Sequence, residues 1–541
     1  MKTIILALTL SVAAASGMTA ATADYNVVPL PREISLQKGA PFVLSSATTL
    51  AVAQGDADGL MAHNQAFLRQ YIAEATGIRV AETADTRHAS IVLSIDSKNI
   101  ANPEGYVMRI TAKRISIAGG SAAGVFYAIQ TLRKSLPIES AEEKSAQEHS
   151  VDLPAAVITD EPRFAWRGML LDCGRYFYPV EFVKRFIDLI AMHNMNVFHW
   201  HLSEDQGWRI EIKRYPRLTE IGSTRRETVI GHSSIGDGKP HGGYYTQEQA
   251  REIVEYARQR HITVVPEIDM PGHTLSALAS YPQLGCTGGP YEVSWRWGVF
   301  PDVLCLGNED TYTFCQNVLA EIMDIFPSAY IHIGGDEAPH KRWAACRKCQ
   351  SLMKREHLTP KNVQGYFTNR MEKFVNSHGR RIIGWDEILN GEINKTAVIQ
   401  SWRGAETGQR AAEAGHDVIM SPTSHCYLDY QQTEDTRHEP SLIRSRTITV
   451  EKAYSFDPTA NLSETAAKHI LGVQGNVWGE FIPYSNLAEY QSLPRMAALA
   501  EVQWTSGQEK NFQAFLPRLT RLTSLYDLHH YIYAKHLWNS K

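Results

Sequence analysis

The run Ile331-His332-Ile333-Gly334-Gly335-Asp336-Glu337 begins β-branched and ends in two adjacent carboxylic acids. A strand that stops at Gly-Gly and then presents Asp-Glu places two titratable groups at the edge of a sheet. There, burial and mutual repulsion can push their pKa values apart, as a general acid working beside an ionised carboxylate requires. Seven other strand-like runs end in polar or aromatic residues. Their ends give Asp172 and Arg175, Asp205, Asp269 and His273, Trp385 and Asp386, Trp402, Tyr427 and Asp429, and finally Trp478 and Glu480. Carboxylates and an arginine suit hydroxyl groups, and indoles stack on the C–H face of a sugar ring. Many acids around a single arginine suit a phosphorylated ligand poorly. The expected ligand is therefore neutral and hydroxyl-rich. Asp336-Glu337 as a cap on the next helix is the plainer alternative, but it leaves the rest of the ring unexplained.

Successive residues of a regular strand point to opposite faces, so Asp336 and Glu337 reach one ligand only if the strand ends by Gly335. The strand-like runs lie at 169–172, 197–201, 263–269, 331–333, 381–385, 397–402, 417–421 and 471–474. They alternate with helix-like segments at 180–193, 246–259, 310–325 and 363–378. This pattern predicts an α/β fold, a (β/α)8 TIM barrel over 151–510, with function at the C-terminal strand ends. An open doubly wound sheet is the alternative, yet no Gly-rich phosphate loop follows the first strand. Residues 24–150 predict a smaller α+β domain in a supporting role, with strand-like runs at 91–95 and 106–110, a helix over 124–136 and a polar linker at 138–150. Residues 511–541 predict a helical extension packed on the barrel. His199, His201 and His332 lie near acids and raise the question of a metal. Strand alternation places them in barrel layers, and the chemistry calls for no metal and no cofactor.

The N-terminal 23 residues read as a signal peptide: Lys2, an apolar segment over 4–15, and Ala21-Thr22-Ala23 before Asp24. Export to a periplasm or beyond is expected. The apolar segment is too short to span a bilayer and no later run approaches the length required, so no membrane span is expected. The formal charge is −4 over 541 residues, which argues against a nucleic-acid or membrane-surface partner. Seven cysteines are too sparse for a disulfide scaffold. Cys286 and Cys305 bracket one long loop and could close it. Cys346-x-x-Cys349 admits a redox or zinc reading, but a second such pair is missing, and a local disulfide or two free thiols is the simpler account.

Six motifs in order resemble glycoside hydrolase family 20, the β-N-acetylhexosaminidases, over nearly the whole chain after the leader. They are Leu171-Asp172-Cys173-Gly174-Arg175-Tyr176-Phe177, the stretch from His199 to Arg209, Glu267-Ile268-Asp269-Met270-Pro271-Gly272-His273, His332 to Glu337, Gly384-Trp385-Asp386-Glu387 and Gln474 to Glu480. The resemblance implies an exo-acting, retaining enzyme that removes terminal non-reducing GlcNAc or GalNAc from glycans or chitooligosaccharides. It further implies substrate-assisted catalysis, in which the 2-acetamido oxygen attacks C1 and gives an oxazolinium-like intermediate. On that pattern Glu337 is the general acid and then base, and Asp336 holds the acetamido N–H. Arg175 clamps O3 and O4, and Glu480 accepts from O4 and O6, as Asp429 does from O4 or O6. Trp385, Trp402 and Trp478 wall in the acetamido methyl, Tyr427 donates to the acetamido oxygen, and Asp205 with His273 orients Glu337. Asp172 and Asp386 read as structural. Tyr176 stands where the family commonly has His, at a position expected to point away from the clamp.

Two other readings compete. One is a glycan-binding protein without turnover, against which intact Asp336 and Glu337 argue. The other is a conventional retaining glycosidase, which needs a separate carboxylate nucleophile about 5 Å from the acid; the sequence offers no convincing one.

Overall fold

The computed structural model describes residues 21–53, 56–140, 144, 149–435, 437, 439–440, 446–507 and 510–539. Eight parallel strands close into a barrel. They are β1 Trp166–Asp172, β2 Val197–His201, β3 Thr263–Glu267, β4 Tyr330–His332, β5 Arg381–Trp385, β6 Val398–Ser401, β7 Val418–Met420 and β8 Ile470–Val477. Each pairs with the next, and β8 returns to β1 along Trp166 to Leu171. The fold is the expected (β/α)8 barrel preceded by a smaller domain.

β-branched and aromatic residues dominate the strands because both faces are covered. The outward side chains, such as Met169, Leu171, Phe198, Trp200 and Ile331, join the apolar core under the helices. The inward ones change character along the barrel axis. Trp166, Val197, Val265, Ile383, Val398 and Ile419 form an apolar plug near the strand starts. Two residues further along several strands, His199, Glu267, Gln400 and Gln474 face inward with His332, all fully buried. Glu267 gathers this layer: His201 Nδ1 lies 2.5 Å from it, His199 Nε2 2.9 Å, His332 Nδ1 3.1 Å, and Trp385 Nε1 donates at 2.8 Å. Burial pushes the Glu267 carboxyl up, but the three histidines outweigh it and hold the group well below the usual range. The histidines therefore form the floor of whatever sits above the strand ends.

A seven-stranded sheet precedes the barrel and carries the helices Leu60–Thr76 and Ala122–Ser135. Ala156–Asp160 lies in that sheet between Glu33–Leu36 and Tyr106–Thr111, and Val151–Leu153 pairs with Phe42–Leu44 in a smaller one. The small domain thus runs to Asp160, ten residues past the boundary expected at 150. The polar tract hid this, because the chain re-enters the domain after it. Most of that tract, 141–143 and 145–148, lies outside the described residues, as does the expected leader up to residue 20. Ala21–Thr22 pairs in parallel with Val151 and Asp152.

Arg167, near the start of β1, joins the two domains. It donates to both Glu104 oxygens at 2.8 Å and to Tyr127 Oη at 3.0 Å. Lys134 Nζ adds a bond to Asn194 Oδ1 at 2.8 Å. These contacts meet the barrel at its strand starts, which leaves the strand ends uncovered by the small domain. The C-terminal helix Phe512–Leu528 straddles the joint, with Arg518 donating to Glu501 and to the Val27 carbonyl, and Tyr526 Oη 2.7 Å from His193 Nε2. No helix among the described residues is long and apolar enough to cross a membrane.

Candidate active site

β4 ends at His332, and the next residues abolish its alternation. Gly334 and Gly335 take φ values of 65° and 98°. A Cβ on Gly334 would stand 1.8 Å from Asp269 Oδ1, the oxygen that accepts from the Gly335 N–H at 3.0 Å. Glu337 itself sits at φ 46°, a conformation that costs a non-glycine residue about 1–2 kcal/mol. The result is that Asp336 and Glu337 line the same pocket. The condition that the strand end by Gly335 is met.

The pocket encloses about 190 Å3, the scale of one monosaccharide, and its lining is Arg175, Asp336, Glu337, Trp385, Trp402, Tyr427, Asp429, Tyr430, Trp478 and Glu480. Every expected ligand-contacting residue is present, drawn from the ends of β1, β4, β5, β6 and β8 and from the segment after β7. Only Tyr430 was not anticipated. Its hydroxyl accepts from Arg446 at 2.8 Å. Trp385 and Trp478 pack at 5.5 Å between centroids, and Trp402 stacks on Tyr427 at 6.2 Å. Two indoles are anchored by carboxylates: Trp385 Nε1 by Glu267 and Trp402 Nε1 by Glu387 at 2.9 Å. The aromatic wall is thus fixed before any ligand arrives.

Arg175 is held from several sides. Its guanidinium lies 2.6 Å from Glu204, 3.2 Å from Asp172 and 3.9 Å from Glu480, and stacks over Trp478. Burial alone would lower its pKa; the three carboxylates raise it well above the usual value. Asp172 also accepts from the Gly174, Arg175 and Gly479 amides, and Asp386 from the Trp402 and Arg403 amides. Both are the structural acids expected. Across the pocket, burial and the neighbouring Glu480 push Asp429 well up, and burial raises Glu480 against the pull of Arg175.

His273 is the hub beneath the acid pair. Nδ1 stands 3.0 Å from Asp205 and 3.2 Å from Glu204, while Nε2 stands 3.4 Å from Glu337 and 3.8 Å from Asp336. Burial would lower its pKa, but these acids raise it well above the ordinary value. Glu204 is pushed up by burial, yet Arg175 and His273 bring it down to about 2. The pKa split between the two central acids runs opposite to the one expected. The hydrogen bond and charge of His273 hold Glu337 below its usual value, whereas burial, then Glu267 and Glu337, raise Asp336 against the pull of His273. Without ligand, the proton near Glu337 therefore belongs to His273. Asp336 Oδ1 is buried and accepts no hydrogen bond, while the side chain as a whole stays partly open and lines the pocket.

Glu204 and Glu387 went unread in the sequence. Each follows or precedes an acid already assigned, so neither stood out, and each acts through a neighbour: Glu204 through Arg175, Glu387 through Trp402. Tyr176 turns from the clamp and packs against His241 at 5.0 Å and Trp297 at 5.6 Å, with Arg225 over its ring, as anticipated.

The family model described as glycosyl hydrolase family 20, catalytic domain, matches residues 164–507, and that family's domain 2 matches 24–161. A β-hexosaminidase of Porphyromonas gingivalis is 40% identical over 507 residues, covering 93% of this chain; the chain spans 63% of that relative's length. A β-hexosaminidase of Vibrio furnissii is 35% identical over 88% of this chain and 76% of its own. A crystal structure of the GH20 exo β-N-acetylglucosaminidase of Vibrio harveyi with N-acetylglucosamine superposes with a TM-score of 0.83 at 31% identity, over 96% of this chain and 80% of that one. A Streptomyces plicatus β-hexosaminidase variant in complex with its product GlcNAc gives 0.81 at 32%, over 94% and 96%.

Proposed function

The chain belongs to glycosyl hydrolase family 20, and from that premise we propose that it is an exo-acting, retaining β-N-acetylhexosaminidase working by substrate-assisted catalysis. The observation that carries this is the convergence of Asp336 and Glu337, through the Gly334-Gly335 turn, on one pocket faced by Trp385, Trp402 and Trp478.

The terminal sugar enters with its O3 and O4 toward Arg175 and its O4 and O6 toward Asp429 and Glu480. Charge-assisted hydrogen bonds there fix the ring. The indoles enclose the acetamido methyl and keep water off the reacting face, and Tyr427 donates to the acetamido oxygen, aiming it at C1. The acetamido N–H donates to the Asp336 carboxylate, which lines the pocket. A hydrogen bond to a carboxylate favours its ionised form, and the new charge beside Glu337 raises that group in turn. Ligand binding thus reverses the split of the free site and settles a proton on Glu337, with His273 and Asp205 beneath it. Glu337 protonates the leaving oxygen as the acetamido oxygen closes on C1, and Asp336 stabilises the positive oxazolinium. Glu337 then takes a proton from the water that opens the ring from the vacated face, which retains the β configuration.

The test compares 4-nitrophenyl N-acetyl-β-glucosaminide with the matching β-glucoside. Turnover of the acetamido substrate alone, reduced about 1,000-fold or more in Glu337→Gln, is the expected outcome. Equal turnover of both sugars defeats the mechanism, and tight binding of GlcNAc without turnover of either substrate favours a binding protein. Export rests on residues 1–23 and is checked by N-terminal sequencing of protein recovered from its native host.

A further inference from the structure

Away from the pocket, folding brings together four cysteines from two distant stretches. Cys286 Sγ lies 3.8 Å from Cys349 Sγ, and Cys305 Sγ lies 3.7 Å from both Cys346 and Cys349. All four sulfurs fall within 4.8 Å of one another. A tetrahedron with zinc–sulfur bonds of about 2.3 Å has sulfur–sulfur edges of about 3.8 Å. No pair is near the separation of about 2.05 Å that a disulfide needs. We propose that Cys286, Cys305, Cys346 and Cys349 form a tetrathiolate site for one structural zinc ion, independent of the reading given to the active site.

The surroundings fit thiolates rather than thiols. Cys346 caps the helix Arg347–Arg355 and Cys349 lies in its first turn, where the helix dipole favours negative charge. Gly307 packs closely on the Lys348–Cys349 backbone beside this site. Gly307 must be glycine for this approach, since a Cβ there would stand 2.1 Å from the Lys348 carbonyl carbon and 2.4 Å from the Cys349 nitrogen. Arg217, Arg347 and Lys348 line the hollow beside Cys286 and Cys346, and their charge offsets the two net negative charges of a zinc tetrathiolate. Cys305 and Cys349 are buried while Cys286 and Cys346 are half-buried, so an ion has an entry path. Four soft ligands in tetrahedral array select zinc over harder cations. The missing second half of the Cys-x-x-Cys motif is thus supplied by two residues 19 apart that close one loop.

That loop is not idle. It carries Trp295, Trp297 and Val299, and Val299 lines a hollow on the outer side of Glu337 together with Ala338, His340 and Glu387. Asp302 pairs with Arg342 at 2.7 Å, and the Leu304 carbonyl accepts from Trp343 Nε1 at 2.9 Å. The ion would lock the base of this loop to the segment that follows Glu337, and so fix the wall against which the leaving group rests.

The test uses the full chain purified without added metal or chelator. Elemental analysis is expected to find one zinc per chain. With chelator under denaturing, non-reducing conditions, all seven cysteines should react with a thiol reagent. Cobalt exchanged into the site should show the visible bands of tetrahedral thiolate coordination. Cys346→Ser should lose both the zinc and those bands, while Cys315→Ser, at a buried thiol elsewhere, keeps them. If Cys346→Ser fails to fold, the zinc and thiol counts of the unaltered chain decide. Only three reactive thiols, with a mass lower by four hydrogens, would mean two disulfides and overturn the proposal. So would a reduced chain that takes up no zinc, iron in place of zinc, or a Cys346→Ser chain that keeps its full zinc.

Discussion

The central acids and their histidine carry a testable proton inventory. In the free site Glu337 is held low and His273 high, so the proton needed for leaving-group departure is lost only when pH rises past the raised His273 value. With His273→Asn that reservoir is gone and Glu337 must hold its own proton. The alkaline limb of kcat/KM is then expected to move to lower pH, with kcat down about 100-fold; an alkaline limb that stays put would remove His273 from the proton path. The residues expected to contact a ligand do line one pocket, but they were legible only through six motifs taken in order, because a strand-end tryptophan also serves as plain rim packing and Asp-Glu can cap a helix. The order of the acid pKa values was not legible, because it depends on distances of 3.4 and 3.8 Å from a single imidazole. Glu204 was missed for a related reason: it touches the clamp rather than the pocket.

The end of β5 positions Trp385 inward and then presents Asp386 and Glu387. Burial, with Asp336 and Asp386 nearby, pushes the Glu387 carboxyl up to about 8, against about 4.3 in an unfolded chain. A raised folded value means that the protonated form stabilises the fold. That stability is fully present below pH of about 4.3 and is lost as pH rises toward 8. Glu387→Gln mimics the protonated acid and keeps an acceptor for Trp402 Nε1. Its melting temperature should match the parent near pH 4 and exceed it at pH 8, where the gain in stability is on the order of a few kcal/mol. A gain that is the same at both pH values would assign the effect to something other than ionisation. At this scale the sequence was most readable: eight strand-like runs, the first five separated by helix-like segments, admit few other folds. The Gly-Gly stop after β4 was readable too, since alternation alone could not bring adjacent acids to one ligand.

The two domains are joined at the barrel's strand starts through Arg167, which is buried and depends on Glu104 for its counter-charge. Glu104→Gln leaves the guanidinium short of one charge while Tyr127, Asn194 and Phe164 still accept from it. A loss of about 2–4 kcal/mol is expected by calorimetry, with kcat/KM at 25 °C unchanged because the pocket lies at the other end of the strands. A fall in activity at a temperature where both proteins are folded would show that the small domain does more than support. The extent of that domain was not legible. Its strands at Val151–Leu153 and Ala156–Asp160 follow a polar tract that reads as a linker, and only pairing partners more than 40 residues earlier reveal where they belong.

The polar layer of Glu267 and its histidines seals the barrel directly under a pocket sized for a single sugar. On the proposed activity, an oligosaccharide therefore cannot thread onward after a cut; the released monosaccharide must back out by the way it came, past the shortened chain. Degradation is then distributive, one residue for each encounter. During digestion of a β-linked GlcNAc tetramer, trimer and dimer should build up in succession while tetramer is still abundant, and dilution of the enzyme should slow every step alike.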